Sequence, residues 1–391
     1  MSIEIQEFVA AKSASRLAGR PRGRPPFRAD HVGSLLRPQM LLDARERRQA
    51  GKISVEEFKA IEDASVREII KIQEDCGLES ITDGELRRNT WHMDFLYQLG
   101  GVEKVQGQLK VQFHNHDGDI EWTPAALRVS SKLRLEKPIF LDDFEFVKAN
   151  TLATPKLTIP SPSMLHYRGG NRSIDPDAYT DIKEFWRDLS AAYAAEVEML
   201  YQHGCRYLQF DDTSLAYLND PKQRQHVKEL GGDPLNQHKI YIEAFNAAVE
   251  NRPEDMAICT HLCRGNFKSS WVASGGYDYV AEALFNQMDV DGFFLEYDDA
   301  RSGGFEPLRF VPKGKTVVLG LISSKHGGLE EKDILKRRIE EASRFIDLDQ
   351  VCISPQFGFS STCEGNDLTI EQQNAKLRLT VEIAEDVWGG L

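Results

Sequence analysis

Short apolar runs alternate with longer amphipathic stretches over most of the chain. The runs at 157–160, 206–210 and 292–296 have the length and the β-branched or aromatic content of buried strands. The stretches at 182–203 and 330–345 carry apolar residues at helical spacing. About eight such strands, each followed by a helix or a long loop, predict a parallel sheet. Over this length they predict an α/β fold of the TIM-barrel type, a closed (β/α)8 barrel.

Two parts of the chain break this alternation. Strand-like residues at 111–114 and 120–122 flank the sequence Asn-His-Asp-Gly-Asp, whose Asp-Gly pair is typical of a tight turn. They predict a β-hairpin insertion around residues 100–150. Residues 1–26 contain arginines among Gly and Pro and no apolar segment, which predicts a disordered basic N-terminal arm. Residues 27–391 are then expected to form a single catalytic barrel domain.

The composition narrows the class of partner. Of the 391 residues, 41% are hydrophobic and 28% are charged, and the formal net charge is -13. A protein with this negative net charge repels the phosphate backbone of a nucleic acid, so no nucleic-acid partner is expected. No apolar run approaches the roughly 20 residues that span a bilayer, so no membrane partner is expected either. Six cysteines without a signal peptide fit a reducing compartment, and we expect a cytoplasmic protein. An organelle-targeting N-terminus is the alternative, which Glu4 and Glu7 oppose.

Polar side chains collect at the predicted strand ends. His261 and Cys263 are two apart in an extended segment, so their side chains point to the same side, and both are good zinc ligands. In a barrel the C-terminal strand ends surround one site, which places Glu296 where it would add an oxygen ligand. Ordinary solvated strand ends are the alternative. The same edge also offers Ser34, Asp83, Glu85, Asp211 and Asp212.

In combination these motifs resemble a known enzyme family, the cobalamin-independent methionine synthases. The likeness is greatest to single-barrel proteins related to the C-terminal catalytic domain of that enzyme, in the superfamily that also holds uroporphyrinogen decarboxylase. It covers nearly everything from residue 27 to the end. The motifs that carry it are Asp83-Gly84-Glu85, Gln209-Phe210-Asp211-Asp212, His261-Leu262-Cys263, Glu296 and Ser354-Pro355-Gln356-x-Gly358-Phe359.

The resemblance implies a thiol methyltransferase with a zinc cofactor. In the synthase, zinc binds homocysteine as a thiolate and 5-methyltetrahydrofolate is the methyl donor. Coordination to zinc deprotonates a thiol whose pKa is otherwise about 8.5. The implied roles are zinc ligation for His261, Cys263 and Glu296, binding of the amino-acid part of the substrate for Ser34, Glu85 and Asp211, and catalysis for Asp211 and His326, with His326 as the acid for the leaving group.

One residue departs from the family pattern. Between Ser-Pro-Gln and Gly-Phe the family has the cysteine that completes the zinc site, and this chain has Phe357. Cys363, six residues later, is an alternative fourth ligand if the loop bends back, and a simple loop cysteine if it does not. Three protein ligands with an open position also describe a catalytic zinc site, so the loss of one ligand does not exclude the metal.

Three functional hypotheses follow. The first is a zinc-dependent methyl or alkyl transferase that activates a small-molecule thiol, with a methyl donor for which a folate is one candidate. The alternative is a metal-independent barrel lyase or decarboxylase that uses the strand-end carboxylates and His261, with Phe357 as an apolar wall. The third is a non-catalytic binder on a decayed site, which the intact acidic strand ends oppose. The insertion would cover a neighbouring copy in a homodimer.

Overall fold

The computed structural model describes residues 24–105, 111–115, 118–122 and 126–390, which form an α/β fold with parallel strands. Residues 1–23 of the predicted basic arm lie outside the described residues. Pro26, at the end of that arm, is buried.

The strands after residue 150 are mostly buried along their whole length. That pattern is typical of parallel strands covered by helices, and it explains why they read as continuous apolar runs in the sequence. The strands are β1 (Ser80–Ile81), β2 (Gly100–Val105), β3 (Val111–Asn115), β4 (Gly118–Trp122), β5 (Ala126–Arg134), β6 (Thr154–Pro155), β7 (Leu157–Pro160), β8 (Tyr207–Asp212), β9 (Ala257–Leu262), β10 (Gly292–Glu296), β11 (Thr316–Ile322) and β12 (Val351–Pro355).

Strands β7 to β12 form one parallel sheet in chain order. Strand β1 pairs in parallel with β6, and β6 continues through Lys156 into β7. At the other edge of the sheet, an isolated parallel bridge joins Ala29 to Ile353 of β12. Because these strands run in one direction, their carboxyl ends lie at one edge, where α/β proteins place their ligands.

Two antiparallel pairs lie between the first parallel strand and the sheet. Strand β2 pairs with β5, and β3 pairs with β4. The turn predicted between β3 and β4 falls on residues 116–117, outside the described residues, so the hairpin insertion stays a prediction. His114 and Trp271 exchange two backbone hydrogen bonds of 2.7 and 2.9 Å, which tie β3 to the loop after β9.

The helices bury one face against the strands and begin at residues suited to that role. Ser54 with Glu57, and Thr369 with Gln372, form reciprocal capping boxes that satisfy the first free N–H groups of two long helices. None of the described helices is long and apolar enough to cross a membrane. The α-helices are Gln39–Gln49, Val55–Asp75, Met93–Leu96, Leu141–Asn150, Ser163–Tyr167, Ile182–Gln202, Ser214–Tyr217, Pro221–Glu229, Gln237–Val249, Ala281–Gln287, Lys332–Ala342 and Ile370–Trp388, and the 3-10 helices are Gly170–Ser173, Ala300–Ser302, Glu306–Phe310 and Leu348–Gln350.

The first predicted strand is shorter than expected. Residues 27–34 read as strand-like, but the structure has only the bridge at Ala29. Gly33 has φ +130°, and a Cβ there would lie 2.6 Å from Thr158 Cγ2. The chain therefore leaves extended geometry where it passes Thr158, and only glycine tolerates that path without strain.

Candidate active site

Neighbouring strand ends bring Asp211 and His261 side by side. The register pairs Asp211 of β8 with His261 of β9, both near the carboxyl ends of their strands. The cavity at this edge brings the three predicted substrate-binding residues together with both members of the His-x-Cys motif. It is lined by Val32, Ser34, Glu85, Trp91, Asp211, Asp212, His261, Cys263, Phe357 and Ser361.

Glu85 is held in a left-handed backbone conformation, with φ 57°. Its Oε1 accepts a hydrogen bond of 2.7 Å from Thr158 Oγ1 and lies 3.5 Å from Arg88 Nη1. Its Oε2 is buried and has no hydrogen-bond partner. Backbone strain of this kind persists only where the surroundings enforce it, and a buried carboxylate oxygen without a donor is suited to an N–H group of a ligand.

Asp211 is the second buried carboxyl group in the cavity. Its Oδ1 accepts a hydrogen bond of 2.6 Å from Gln209 Nε2. Burial raises the pKa of both carboxyl groups, most strongly that of Asp211, where the charge of Glu85 raises it further. Arg88 opposes this effect at both residues. A cationic ligand group would favour ionisation of both side chains.

The donor atoms of His261 and Cys263 differ in how far neighbours occupy them, and the backbone N–H of Gly265 lies near the Cys263 sulfur. Neither ring nitrogen of His261 makes a hydrogen bond within the described chain; the Phe294 carbonyl is near enough to raise the pKa slightly but falls outside hydrogen-bond geometry. Burial lowers the pKa of His261 to about 3, although the charge of Glu296 opposes this. Burial raises the pKa of the Cys263 thiol well above its usual value. The site thus holds a neutral imidazole and a neutral thiol.

Glu296, the third predicted ligand, is fully buried and already engaged. Its Oε2 accepts a hydrogen bond of 2.8 Å from the backbone N–H of Arg264. Its Oε1 accepts hydrogen bonds from Arg301 Nη2 at 3.0 Å and from Lys325 Nζ at 3.3 Å. Burial alone would raise the pKa of Glu296, but Lys325, Arg264 and Arg301 together lower it to about 2. The Glu296 carboxylate is therefore ionised, and cationic side chains already bind it.

Phe357, at the position where the resemblance implies the fourth zinc ligand, packs against His261. Only His261 and Cys263 therefore remain as candidate metal ligands. Glu296 is already bound by cations, and Phe357 has no donor atom. No group of three or more His, Cys, Asp or Glu side chains in the described part of the chain is arranged to hold a metal ion. The residues present do not fit zinc in this arrangement.

Comparison with known proteins identifies the family. The model of the cobalamin-independent synthase catalytic domain matches residues 28–386. The chain belongs to this family. The predicted resemblance is confirmed, and membership in the cobalamin-independent synthase family supports a methyltransferase that acts on small molecules.

Several relatives match this chain over most of their length. The uncharacterized protein YxjH of Bacillus subtilis is 48% identical over 93% of this chain and 96% of its own. The methionine synthase of Pyrococcus abyssi is 26% identical over 84% of each chain. A solved Listeria monocytogenes structure, provisionally described as a vitamin-B12-independent methionine synthase, is 38% identical with a TM-score of 0.75, covering 93% of this chain and 98% of that one.

Besides Glu296, two further residues predicted for the site do not line the cavity. His326 is exposed in the loop after β11. Cys363 is half-buried, with its Sγ 3.5 Å from a carboxylate oxygen of Glu364, and its backbone N–H donates to the Asn89 carbonyl at 3.0 Å. The structure therefore does not bring Cys363 to His261, and the roles predicted for both residues stay predictions.

Gly358 explains why the motif after β12 needs its glycine. A Cβ at Gly358 would lie 1.9 Å from Ser34 Oγ. The N–H of Phe359 donates a hydrogen bond of 2.8 Å to the Ser34 carbonyl, which fixes the two segments together. The absent side chain thus leaves room for Ser34, one of the predicted substrate-binding residues, in the cavity wall.

Sequence reasoning missed Trp91, Lys325 and Arg301 as parts of this site. Trp91 lines the cavity because its backbone N–H donates a hydrogen bond of 3.0 Å to the Ser361 carbonyl. This bond joins two loops that are far apart in sequence. No local pattern marks such a pairing. The sequence offered one weak indication for Lys325, because this cation follows closely after a predicted strand end. It offered no indication for Arg301.

Proposed function

We propose that this cobalamin-independent synthase relative methylates the sulfur of an amino acid that carries a thiol. The observation that carries the proposal is one cavity that combines the buried carboxyl groups of Glu85 and Asp211 with a neutral imidazole and a thiol. Homocysteine is the first candidate, because relatives named methionine synthase match this chain over 84% of its length.

The carboxyl groups of Glu85 and Asp211 would bind the substrate ammonium group. Glu85 Oε2 lacks a donor, and burial raises the pKa of both groups despite the charge of Arg88. An ammonium group supplies that charge and three N–H donors. Ser34 lies in the same wall and would contact the amino-acid part of the substrate.

Neutral His261 would accept a hydrogen bond from the substrate thiol and so orient its sulfur, because neither ring nitrogen has a partner within the described residues. Its pKa of about 3 is too low for it to hold the thiol proton. The sulfur then forms a bond to the methyl carbon as the bond from that carbon to the donor breaks. The thiol proton passes to the donor's leaving group, so that a thiol and a methyl donor give a thioether and the demethylated, protonated donor. A folate is one candidate donor, with the exposed His326 as the predicted acid.

The sequence also predicts a zinc cofactor, which the arrangement of these residues opposes. Zinc, when bound, would lower the pKa of a coordinated substrate thiol. The ring nitrogens of His261 and the Cys263 thiol are suited to the metal, while the cations on Glu296 and the ring of Phe357 oppose it. Plasma mass spectrometry on protein purified without chelator or nickel decides the matter: about one zinc per chain, lost in Cys263→Ser, supports zinc, and no metal opposes it.

The strand positions would form a closed barrel within a single domain over residues 27–391. Supporting contacts join the first position to the second: Leu35 N–H donates to the Gly84 carbonyl at 2.9 Å, and Thr82 Oγ1 donates to the Gly33 carbonyl at 2.7 Å. With β1 paired to β6 and Ala29 bridged to β12, these contacts link the two edges of the sheet.

Binding of matched ligands tests the proposal. L-homocysteine and 4-mercaptobutyrate differ by the ammonium group, so calorimetry should show at least about tenfold tighter binding of the amino acid. Glu85→Gln and Asp211→Asn should remove this preference, and Glu103→Gln, an exposed carboxylate in β2, should keep it. Equal binding of the two thiols by the wild-type protein would overturn the proposed amino-acid recognition. Formation of a methyl thioether from candidate donors then tests the transfer.

A metal-independent lyase or decarboxylase is the second candidate. The ion pairs of Glu296 with Arg301 and Lys325 favour it, because they give the site a charged network that needs no metal. It gains support if the protein holds no zinc after incubation with the metal and forms no thioether from any thiol and donor pair.

A further inference from the structure

A second cavity adjoins the first on the side of Trp91 and Phe357. Both cavities share these two aromatic side chains and Cys263. The second cavity has further rings in its wall, among them Phe113 and Phe267, whose centroids lie 5.3 Å apart, together with polar residues. A flat, unsaturated molecule suits such walls, because aromatic side chains stack well on planar groups.

Arg168 in the wall of this second cavity is a cation without an anion. Its guanidinium donates no hydrogen bond and forms no ion pair with any residue that the structure describes, and its Nη1 is buried without a partner. Burial lowers the pKa of Arg168, and the charged or polar groups that act on it are the hydroxyls of three tyrosines, Tyr217, Tyr167 and Tyr97. Arg168 as a whole is half-buried, but its Nη1 lies away from water, where an unpaired charged group is costly.

The groups around Arg168 do not replace the missing anion. His92 is buried, both of its ring nitrogens lack partners, and burial together with Arg168 keeps its pKa well below the usual value, so its imidazole is neutral. Asn266 Oδ1, in the same wall, also lacks a partner. Arg168 and His92 therefore leave two positions open for hydrogen bonds with one bound group.

We propose that Arg168 binds a carboxylate or another anionic group of the second substrate, the flat methyl donor, in this cavity. The inference rests on the proposed methyl transfer, since it assigns the second substrate of that reaction. The geometry fits that role: Cys263, Trp91 and Phe357 line both cavities, so a donor held here places its methyl group next to a thiol held in the first cavity. Arg168 is a residue that determines donor specificity.

A pair of small probes tests the charge at this position without any turnover. Benzoate and benzamide have the same ring and nearly the same shape, and only benzoate is an anion. Calorimetry should show about tenfold tighter binding of benzoate to the wild-type protein, and Arg168→Gln should remove that preference while benzamide binding persists. Arg172→Gln, at an exposed position four residues later, is the matched control and should keep the preference. Equal binding of both probes, or binding of neither, overturns the proposal.

The stability of the ligand-free protein gives a second test. A cation kept for a ligand is unpaired in the empty enzyme, so Arg168→Met should raise Tm, whereas a structural arginine would lower it on removal. A lower Tm in Arg168→Met overturns the proposal. Both tests are separate from thiol binding: if L-homocysteine shows no preference while benzoate does, the proposed function fails and Arg168 remains an anion site.

Discussion

The ring of Phe357 stands edge-to-face against the ring of His261, with centroids 5.0 Å apart and planes at 74°. This contact occupies the place where a fourth zinc ligand would stand. Phe357→Cys should therefore raise zinc content to about one ion per chain, because a thiolate then joins His261 and Cys263. Phe357→Ser is the control of the same size without a thiolate. Equal zinc in both variants, measured by plasma mass spectrometry, would contradict the prediction.

Lys325 should stabilise the folded protein through Glu296. Lys325→Met leaves a buried carboxylate with one cation fewer, and we expect a loss of about 1–3 kcal/mol in urea unfolding at neutral pH. Lys332→Met, which breaks an exposed pair with Glu382, should cost less than about 1 kcal/mol.

The same substitution should change the acid stability of the protein. The pKa of Glu296 is about 2 in the folded protein and 4.5 ordinarily, so its ionised form contributes stability above pH 4.5 that is lost as the pH falls towards 2. The deficit of Lys325→Met should therefore be largest at neutral pH and shrink in acid. An unchanged deficit down to pH 2 would show that Lys325 acts by packing alone.

Asp211 should make the empty protein less stable as the pH rises. Its folded pKa lies well above the ordinary value of 3.8, so between those two pKa values the folded state keeps a proton that the unfolded state has lost. The free energy of unfolding then falls with rising pH. Asp211→Asn should flatten this fall, and a saturating amino-acid thiol should do the same in the wild-type protein. Urea unfolding from pH 4 to pH 8 measures both effects, and parallel curves for the variant and the wild type would refute the assignment.

Gly358 should be required for the shape of the substrate cavity. Gly358→Ala places a methyl group against Ser34 Oγ, and we expect a loss of about 1–3 kcal/mol together with weaker thiol binding. Gly390→Ala, whose Cβ would meet nothing within 4 Å, is the control. Adding Ser34→Gly should restore stability to Gly358→Ala. If it does not, the clash with Ser34 is not the cause.

The sequence located the strand ends well and the side-chain partners poorly. The positions of Asp211 and His261 follow from where an apolar run stops, which is a local property of the chain, and the structure places both at one edge. The state of Glu296 depends on Arg301 and Lys325, which reach it from separate loops. The position of Trp91 in the cavity lining likewise depends on a backbone hydrogen bond to Ser361. Contacts between loops leave no periodic pattern, so the ion pairs and the aromatic wall emerged only from the structure.

The shared wall of the two cavities has a kinetic consequence. Trp91, Cys263 and Phe357 border both spaces, so a thiol and a donor bound as proposed would occupy the enzyme together, with no protein group needed to carry the methyl between them. Initial-rate lines measured at several fixed donor concentrations should then intersect, as in a sequential mechanism, rather than run parallel as in a double-displacement one.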